Sequence, residues 1–416
     1  MAPLGFLVPC PEAGTVESPP PGGARQKSHE WRYRGSARRR LLRHIDQGGA
    51  KLEILDQGII SFQRERRAYC PSVKQLRNGC FIASQDVGTT LGSCDHSIEI
   101  LHSRDGWMWE SEGILPGGAA DDQWFYRAPD LEELPDGRIV MRATRFEVAD
   151  GEIFDPDDET LVRGQALLYW SEDQGRSWSA PQIVPVNLPP ERFTWNGAGA
   201  RLLCLSASRW MYPLETFRPR GSNAPLDQKA IAVFSGDQGK TWGELTTVAE
   251  DPSGRLFWWD QMCTQLPDSR IYTMFWTHVR GTSDDLPVHY AVSEDEGRTW
   301  SKPEPTNIRG QVCSPIAFSD GRVAAIYNYR HMPQGIRVVL SHDLCRFDLE
   351  NELIIFDADT EATLGETDYK NYLAEHLQIS FGKPSAILLD DGTLLAYFWC
   401  TSNGVTHTRW VRVECS

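Results

Sequence analysis

Three octamers of one pattern, Ser-x-Asp-x-Gly-x-[Ser/Thr]-Trp, recur along this chain of 416 residues. They run from Ser171 to Trp178, from Ser235 to Trp242 and from Ser293 to Trp300. Each has the chemistry of a hairpin tip. Asp173, Asp237 and Asp295 can accept backbone N–H bonds inside the turn. Gly175, Gly239 and Gly297 supply the positive φ that a tight reversal demands, and Trp178, Trp242 and Trp300 fold back as apolar plugs. One octamer is a weak signal; three make a repeat, and a repeat sets the architecture. Two eroded copies extend the series: Ser103 to Trp109 around Asp105, and Ser341 to Phe347 around Asp343. The five aspartates step by 68, 64, 58 and 48 residues. Each interval suits a four-stranded blade with its loops.

A second motif keeps the same time. Short apolar runs break at polar turns beginning Leu76, Leu134, Leu266, Phe318 and Leu389, and then resume. Asn-Gly and Asp-Gly between such runs are the strongest short hairpin signal. The gap from Gly137 to Ser269 is 132 residues, about twice the others, and a degraded member near Ser208 fills it. These hairpins predict an all-β, six-bladed β-propeller. Its last strand is expected around Thr406 to Val413, and the early run Lys51–Leu55 or Gly58–Phe62 closes the ring against it.

Composition narrows the partners. Net charge is −15, and residues 25–44 hold eight Lys/Arg against Glu30, so the rest of the chain carries about −22. So acidic a body is a poor binder of nucleic acid or anionic membrane. Residues 1–45 are expected to be a disordered Pro/Gly-rich and then basic segment, and residues 46–416 the propeller. The basic run reads either as an RNA-binding or anionic-surface arm or simply as a solvated stretch. The opening residues lack the basic n-region and apolar length of a signal peptide, and nothing is long enough to span a bilayer. Ten cysteines occur without a Cys-x-x-Cys pair. Buried thiols and the missing signal point to the cytoplasm, unless the start is misassigned, in which case the protein is secreted. No spacing suggests a metal site or a nucleotide loop, so no cofactor is expected.

The hairpins also locate the functional face. Inner strands begin around the central channel, and the loop after each following strand returns to the same end. This places Tyr69, Arg127, Trp259, Asp260 and Lys383 at strand starts, with Arg145, Glu215, His278, Arg280 and Arg330 at the returns. Carboxylates, guanidiniums, an imidazole and indoles then face one cavity. That mixture suits a polar or acidic sugar.

The octamer resembles the Asp box, or BNR repeat, of the sialidase superfamily, over about residues 50–416. The resemblance implies that the boxes lie away from substrate and that chemistry sits at the channel. In that family the first blade opens with Arg-Ile-Pro; here Tyr69-Cys70-Pro71 stands in its place. Asp95, in Asp95-His-Ser-Ile-Glu-Ile100, is similar to the family's acid/base aspartate. Asp260 matches the place of its glutamate partner, while Arg280 (or His278) and Arg330 match the second and third arginines by position. The stretch Phe381-Gly-Lys-Pro-Ser385 lacks the family's tyrosine nucleophile. The resemblance therefore implies an exo-acting glycoside hydrolase with a modified site, Asp95 and Asp260 being its catalytic acids. A non-catalytic glycan- or protein-binding propeller and a true exo-α-sialidase are the alternatives. Asp95 and Asp260 come from opposite blades, which favours inversion with Asp95 raised by burial.

Overall fold

The computed structural model describes residues 51–155, 159–195, 200–358 and 379–416. The expectations for residues 1–45 lie outside them. The described residues form six blades of antiparallel strands, each running outward from the channel. Blade one is Arg67–Gln75, Phe81–Gly88, Ser97–Ser103 and Trp109–Ile114. Blade two is Trp124–Glu133, Ile139–Glu147, Gly164–Ser171 and Gln182–Ile183. In blade three the inner strand is two pieces, Phe193–Trp195 and Leu203–Cys204, both paired to Trp210–Phe217, then Lys229–Ser235 and Glu244–Glu250. Blade four is Leu256–Gln265, Ile271–Val279, His289–Ser293 and Glu304–Pro305. Blade five is Cys313–Ala317, Val323–Tyr329, Gly335–Ser341 and Leu353–Asp357.

Blade six closes the ring. Its inner strands are Phe381–Leu388, Leu394–Ser402 and Val405–Cys415, and its outermost strand is Leu52–Ser61 from the other end of the chain. That strand pairs from Leu52 opposite Cys415 to Ser61 opposite Thr408, so both early runs named above belong to one closing strand. Joining first and last strands in one sheet leaves the ring no unpaired gap between blades.

Both repeated motifs sit on the back of the ring. Each hairpin closes alike: the N–H of Gly79, Gly137, Ser269, Gly321 and Gly392 donates to the carbonyl of Leu76, Leu134, Leu266, Phe318 and Leu389 at 2.8–3.1 Å. The degraded sixth turn is real, with Ser206 N bonded to Arg209 O at 3.2 Å. In the octamers, Asp237 Oδ1 accepts the Thr241 N–H at 2.8 Å and Ser235 Oγ accepts that of Gly239 at 2.8 Å. Asp173 and Asp295 make the same bonds. The hydroxyls of Ser177, Thr241 and Thr299, with these N–H groups, hold all three carboxyls down at about 2.

Each turn also clasps the preceding blade. A Cβ on Gly175 (φ +87°) falls 2.2 Å from Ile82 of blade one, and one on Gly297 falls 2.5 Å from Phe234 of blade three. Gly175 therefore meets two demands at once, a left-handed backbone and a close approach. Gly175→Ala is expected to destabilise the protein by about 1–3 kcal/mol, read by urea unfolding. A loss under about 0.5 kcal/mol, the level of an ordinary surface change, would show the clasp is slack.

Candidate functional site

At the front of the ring the inner strands do not run straight. Register slips occur between Tyr69 and Ser72, Arg127 and Asp130, Trp259 and Met262, and Gly382 and Ser385. Each bulge holds one residue in the left-handed region: Cys70 (φ 48°), Ala128 (φ 52°), Asp260 (φ 51°) and Lys383 (φ 45°). Such a conformation costs about 1–3 kcal/mol outside glycine and persists only where the surroundings impose it. Proline follows three of the four, at Pro71, Pro129 and Pro384. Having no N–H, proline loses nothing where the ladder is interrupted.

Side chains of the preceding blade hold two of these bulges. Asp86 Oδ1 accepts the N–H of Ala128 at 3.0 Å, and Glu215 Oε1 accepts that of Gln261 at 3.0 Å. Asp86 and Glu215 occupy equivalent places, each opposite the front end of its own inner strand. Their electrostatics are opposite. Burial pushes Asp86 upward, but the His96 bond and the Arg127 charge outweigh it and keep the carboxyl below the usual range. Arg127 Nε donates to Asp86 at 2.8 Å and its Nη1 to the Leu91 carbonyl at 2.7 Å. Glu215 is only 1% exposed, and burial together with the neighbouring Asp260 charge raises it well above the ordinary glutamate value. Two carboxyl groups, one of them on a strained bulge, are thus brought together between blades three and four.

Lys383 reaches from blade six to the other bulges. Its Nζ donates to the carbonyls of Cys70 and Pro129 at 3.2 and 3.3 Å, and burial lowers its pKa. Tyr69 packs edge-on against Trp399 at 5.2 Å and lies 5.4 Å from His96; burial pushes its phenol up. Trp259 stacks on His278 at 5.0 Å and 8°. His278 Nδ1 lies 2.8 Å from Asp285, which also accepts from Trp276 Nε1 at 2.6 Å and Gln311 Nε2 at 3.0 Å.

Several expectations need correction. Asp95 is exposed, not buried. Partial burial pushes its carboxyl up, but hydrogen bonds from Ser93 and Thr89 in its own loop outweigh this, so its pKa is lowered, not raised. Its neighbour His96 is the residue that turns inward, fully buried with Nε2 at 2.6 Å from Thr90 O, because adjacent residues entering a strand face opposite ways. The guanidiniums expected to face one cavity are engaged in the fold. Arg145 lies 4.0 Å over the Trp124 ring and bonds Gln165 at 2.7 and 2.9 Å. Arg280 pairs with Glu159 at 2.8 Å, and Arg330 Nη2 donates to Phe381 O at 2.8 Å. Cations near apolar surface seek such partners because an unpaired charge there is costly. His96 and Asp285 carry no assignment from the sequence, and Asp86 is placed by it only at the channel end of a returning strand, with no role attached. The recurring x-Pro-[Ser/Asp] of Cys70-Pro-Ser72, Ala128-Pro-Asp130 and Lys383-Pro-Ser385 was the signal that marks the bulges they support.

Front loops of four blades are stitched into a wall. Ile153 N donates to Gly92 O at 2.8 Å, Arg220 N to Leu161 O at 2.8 Å, and Glu159 reaches Arg280. At blade six the corresponding turn is only Asn403-Gly404. A cavity of about 340 Å³ opens on the other face, lined by Lys74, Arg77, Arg201, Thr264 and Ile387 among others. No helix among the described residues is long and apolar enough to cross a membrane. No group of metal-ligating residues occurs among them either.

The profile of the BNR repeat-like domain matches residues 155–362, half of the chain. The chain belongs to the BNR repeat-like domain family. Solved structures agree on the fold of this BNR-repeat propeller, which is that of the sialidase superfamily. A protein of unknown function from Dyadobacter fermentans superposes with a TM-score of 0.68 at 20% identity, over 88% of this chain and 100% of that one. The NanB sialidase of Streptococcus pneumoniae gives 0.57 at 14% identity, over 88% and 70% of the two chains. An alpha-L-arabinanase of Penicillium chrysogenum, solved with arabinobiose, gives 0.53 at 15%, over 88% and 99%. At such identities the likeness is one of fold. No curated protein sequence matches this one.

Proposed function

We propose that this propeller is an exo-acting glycoside hydrolase for a polar or acidic sugar, working at its front mouth with Asp260 and Glu215 as the carboxyl pair. The observation that carries the reading is the Asp260 bulge, a left-handed aspartate set against a buried glutamate whose pKa is raised. Like charges in one site cannot both ionise freely, so the pair holds one proton across a window of pH. One protonated and one ionised carboxyl is the equipment glycoside hydrolysis needs. Glu215 is the acid-side member and Asp260 the carboxylate. Asp95 gives way to Glu215 in this role because its own loop keeps it ionised. The neighbouring indole of Trp259 supplies a face for a sugar ring. The loop wall over blades one to four favours an end-on, exo mode.

Purified protein assayed against a panel of aryl glycosides, arabinofuranosides and sialosides included, is expected to turn over at least one of them. Asp260→Asn is expected to abolish that turnover while leaving the fold intact. Turnover that survives Asp260→Asn removes the assignment. With Glu215 beside Asp260, the across-ring basis for inversion also goes, and NMR of the first-formed anomer reads the outcome.

A second reading, a non-catalytic glycan-binding propeller, is favoured by one observation. Arg127, Arg280 and Lys383 all have partners within the fold, which suits a preformed binding surface more than a site that rearranges. Retention on a glycan array without turnover of any glycoside is its expected result.

A further inference from the structure

A guanidinium bridges the channel from one side to the other. Arg201 belongs to blade three, in the stretch between the two pieces of its inner strand. Its Nη2 donates to the carbonyl of Ala386, in the inner strand of blade six, at 2.8 Å. Blades follow one another round the ring in chain order, so blades three and six stand opposite and the side chain spans the channel. The channel edge of each innermost strand has no neighbouring strand, which leaves a carbonyl such as that of Ala386 open to a side-chain donor. Ala386 lies two residues before the end of Phe381–Leu388, so the bridge sits about 7 Å in from the back of the ring. Tyr397 of blade six lies beside the same guanidinium.

The cavity of about 340 Å³ on the back face has this half-buried guanidinium in its lining. Lys74 and Arg77 join it from blade one, and Asp390 from blade six. Cations thus outnumber acids in the lining, in a protein whose net charge is −15. Lys74 is already paired, with Glu132 at 2.7 Å. Arg77 Nη1 donates to the Pro135 carbonyl and Arg201 Nη2 to that of Ala386, so both guanidiniums are bonded to neutral carbonyl oxygens. The nearby acids are engaged elsewhere: Asp130 with Ser72, Glu132 with Lys74, and Glu133 with the backbone N–H of Arg77. A guanidinium offers several donors in a planar fork, and one carbonyl occupies one of them. A cation drawn partly out of bulk water gains most from an oxyanion, through charge-assisted bonds.

We propose that the back mouth of the channel is a binding site for a small oxyanion, a phosphate or carboxylate group, held between Arg201 at its floor and Arg77 at its rim. The volume is within the range of small-molecule pockets, so the cavity admits the group together with the molecule that carries it. Asp390, exposed on the same wall, opposes the anion and weakens its hold. The site lies at the other end of the channel from Asp260 and Glu215 and stands apart from the hydrolase reading.

Isothermal titration calorimetry of the full chain with inorganic phosphate, and separately with citrate, tests it at an ionic strength matched with sodium chloride. The parent is expected to bind at least one of the two at a single site, and the tighter one names the group as phosphate or carboxylate. Arg77→Met is expected to weaken that binding about tenfold, the worth of one charge-assisted bond. Asp390→Asn is expected to tighten it about threefold by removing a like charge. Arg201→Met is expected to abolish it, while Asp260→Asn, at the front, leaves it unchanged. Binding of neither ion overturns the proposal, as does binding that Arg77→Met and Asp390→Asn both leave unchanged. If Arg201→Met fails to fold, those two variants, both at exposed positions, decide the matter.

Discussion

Asp86→Ala is expected to cost the protein about 3–5 kcal/mol, because it strands the buried Arg127 guanidinium without its carboxylate. The two side chains meet at 2.8 Å and are 4% and 0% exposed. The change also removes the acceptor of the Ala128 N–H, freeing the blade-two bulge. Asp86→Asn separates the two effects: it keeps an acceptor for Ala128 but loses the charge, and is expected to cost less. The pH dependence has a definite sign. A carboxyl whose folded pKa is depressed adds stability above the ordinary aspartate range, and loses it as pH falls through the folded value. The parent should therefore shed part of its stability below about pH 4, and Asp86→Ala should show a flatter acid limb. Urea unfolding of parent and variant at several pH values reads both quantities. Equal acid limbs in the two proteins would mean that Asp86 is not ionised in the fold.

Trp242→Ala is expected to destabilise by about 3–5 kcal/mol as a large-to-small change in packed surroundings. Trp242 is 8% exposed, packs edge-on to Tyr212 at 5.9 Å and donates its indole N–H to Gly239 O at 3.1 Å. Trp178 and Trp300 occupy the same place in their octamers but are only half-buried, so alanine there is expected to cost less. Ligand binding or turnover per folded molecule is expected to survive, because the octamers lie on the back and the bulges on the front. Loss of function in a fully stable Trp242→Ala would contradict that separation. Thermal and urea unfolding alongside the glycoside assay distinguish the cases.

What is legible in the sequence follows how local each feature is. An octamer closes by bonds between residues two to four apart, Ser235, Asp237, Gly239 and Thr241 among themselves. Its pattern therefore survives as a string, and three such strings in step with the hairpins carry the blade count. Ring closure was readable in part, since two short stretches before the first blade could each close it, and the structure joins them into the one strand Leu52–Ser61 across the polar Asp56 and Gln57. The site is different in kind. Glu215 and Asp260 are 45 residues apart in the chain, Asp86 and Arg127 are 41 apart, and Lys383 bonds a carbonyl 313 residues away. No spacing rule links such residues. Strand-end counting could name Tyr69, Arg127, Asp260 and Lys383 as front residues, but not which of them a partner from the next blade had already engaged. Asp95 shows the limit most plainly, since a string similar to a catalytic motif left open which of two adjacent residues turns inward. The chain alone determined the architecture, because each blade is built from contacts between neighbours in sequence. Only the closed ring decided the chemistry of the channel, because burial and charge there depend on which side chains six separate blades bring within a few ångströms of one another.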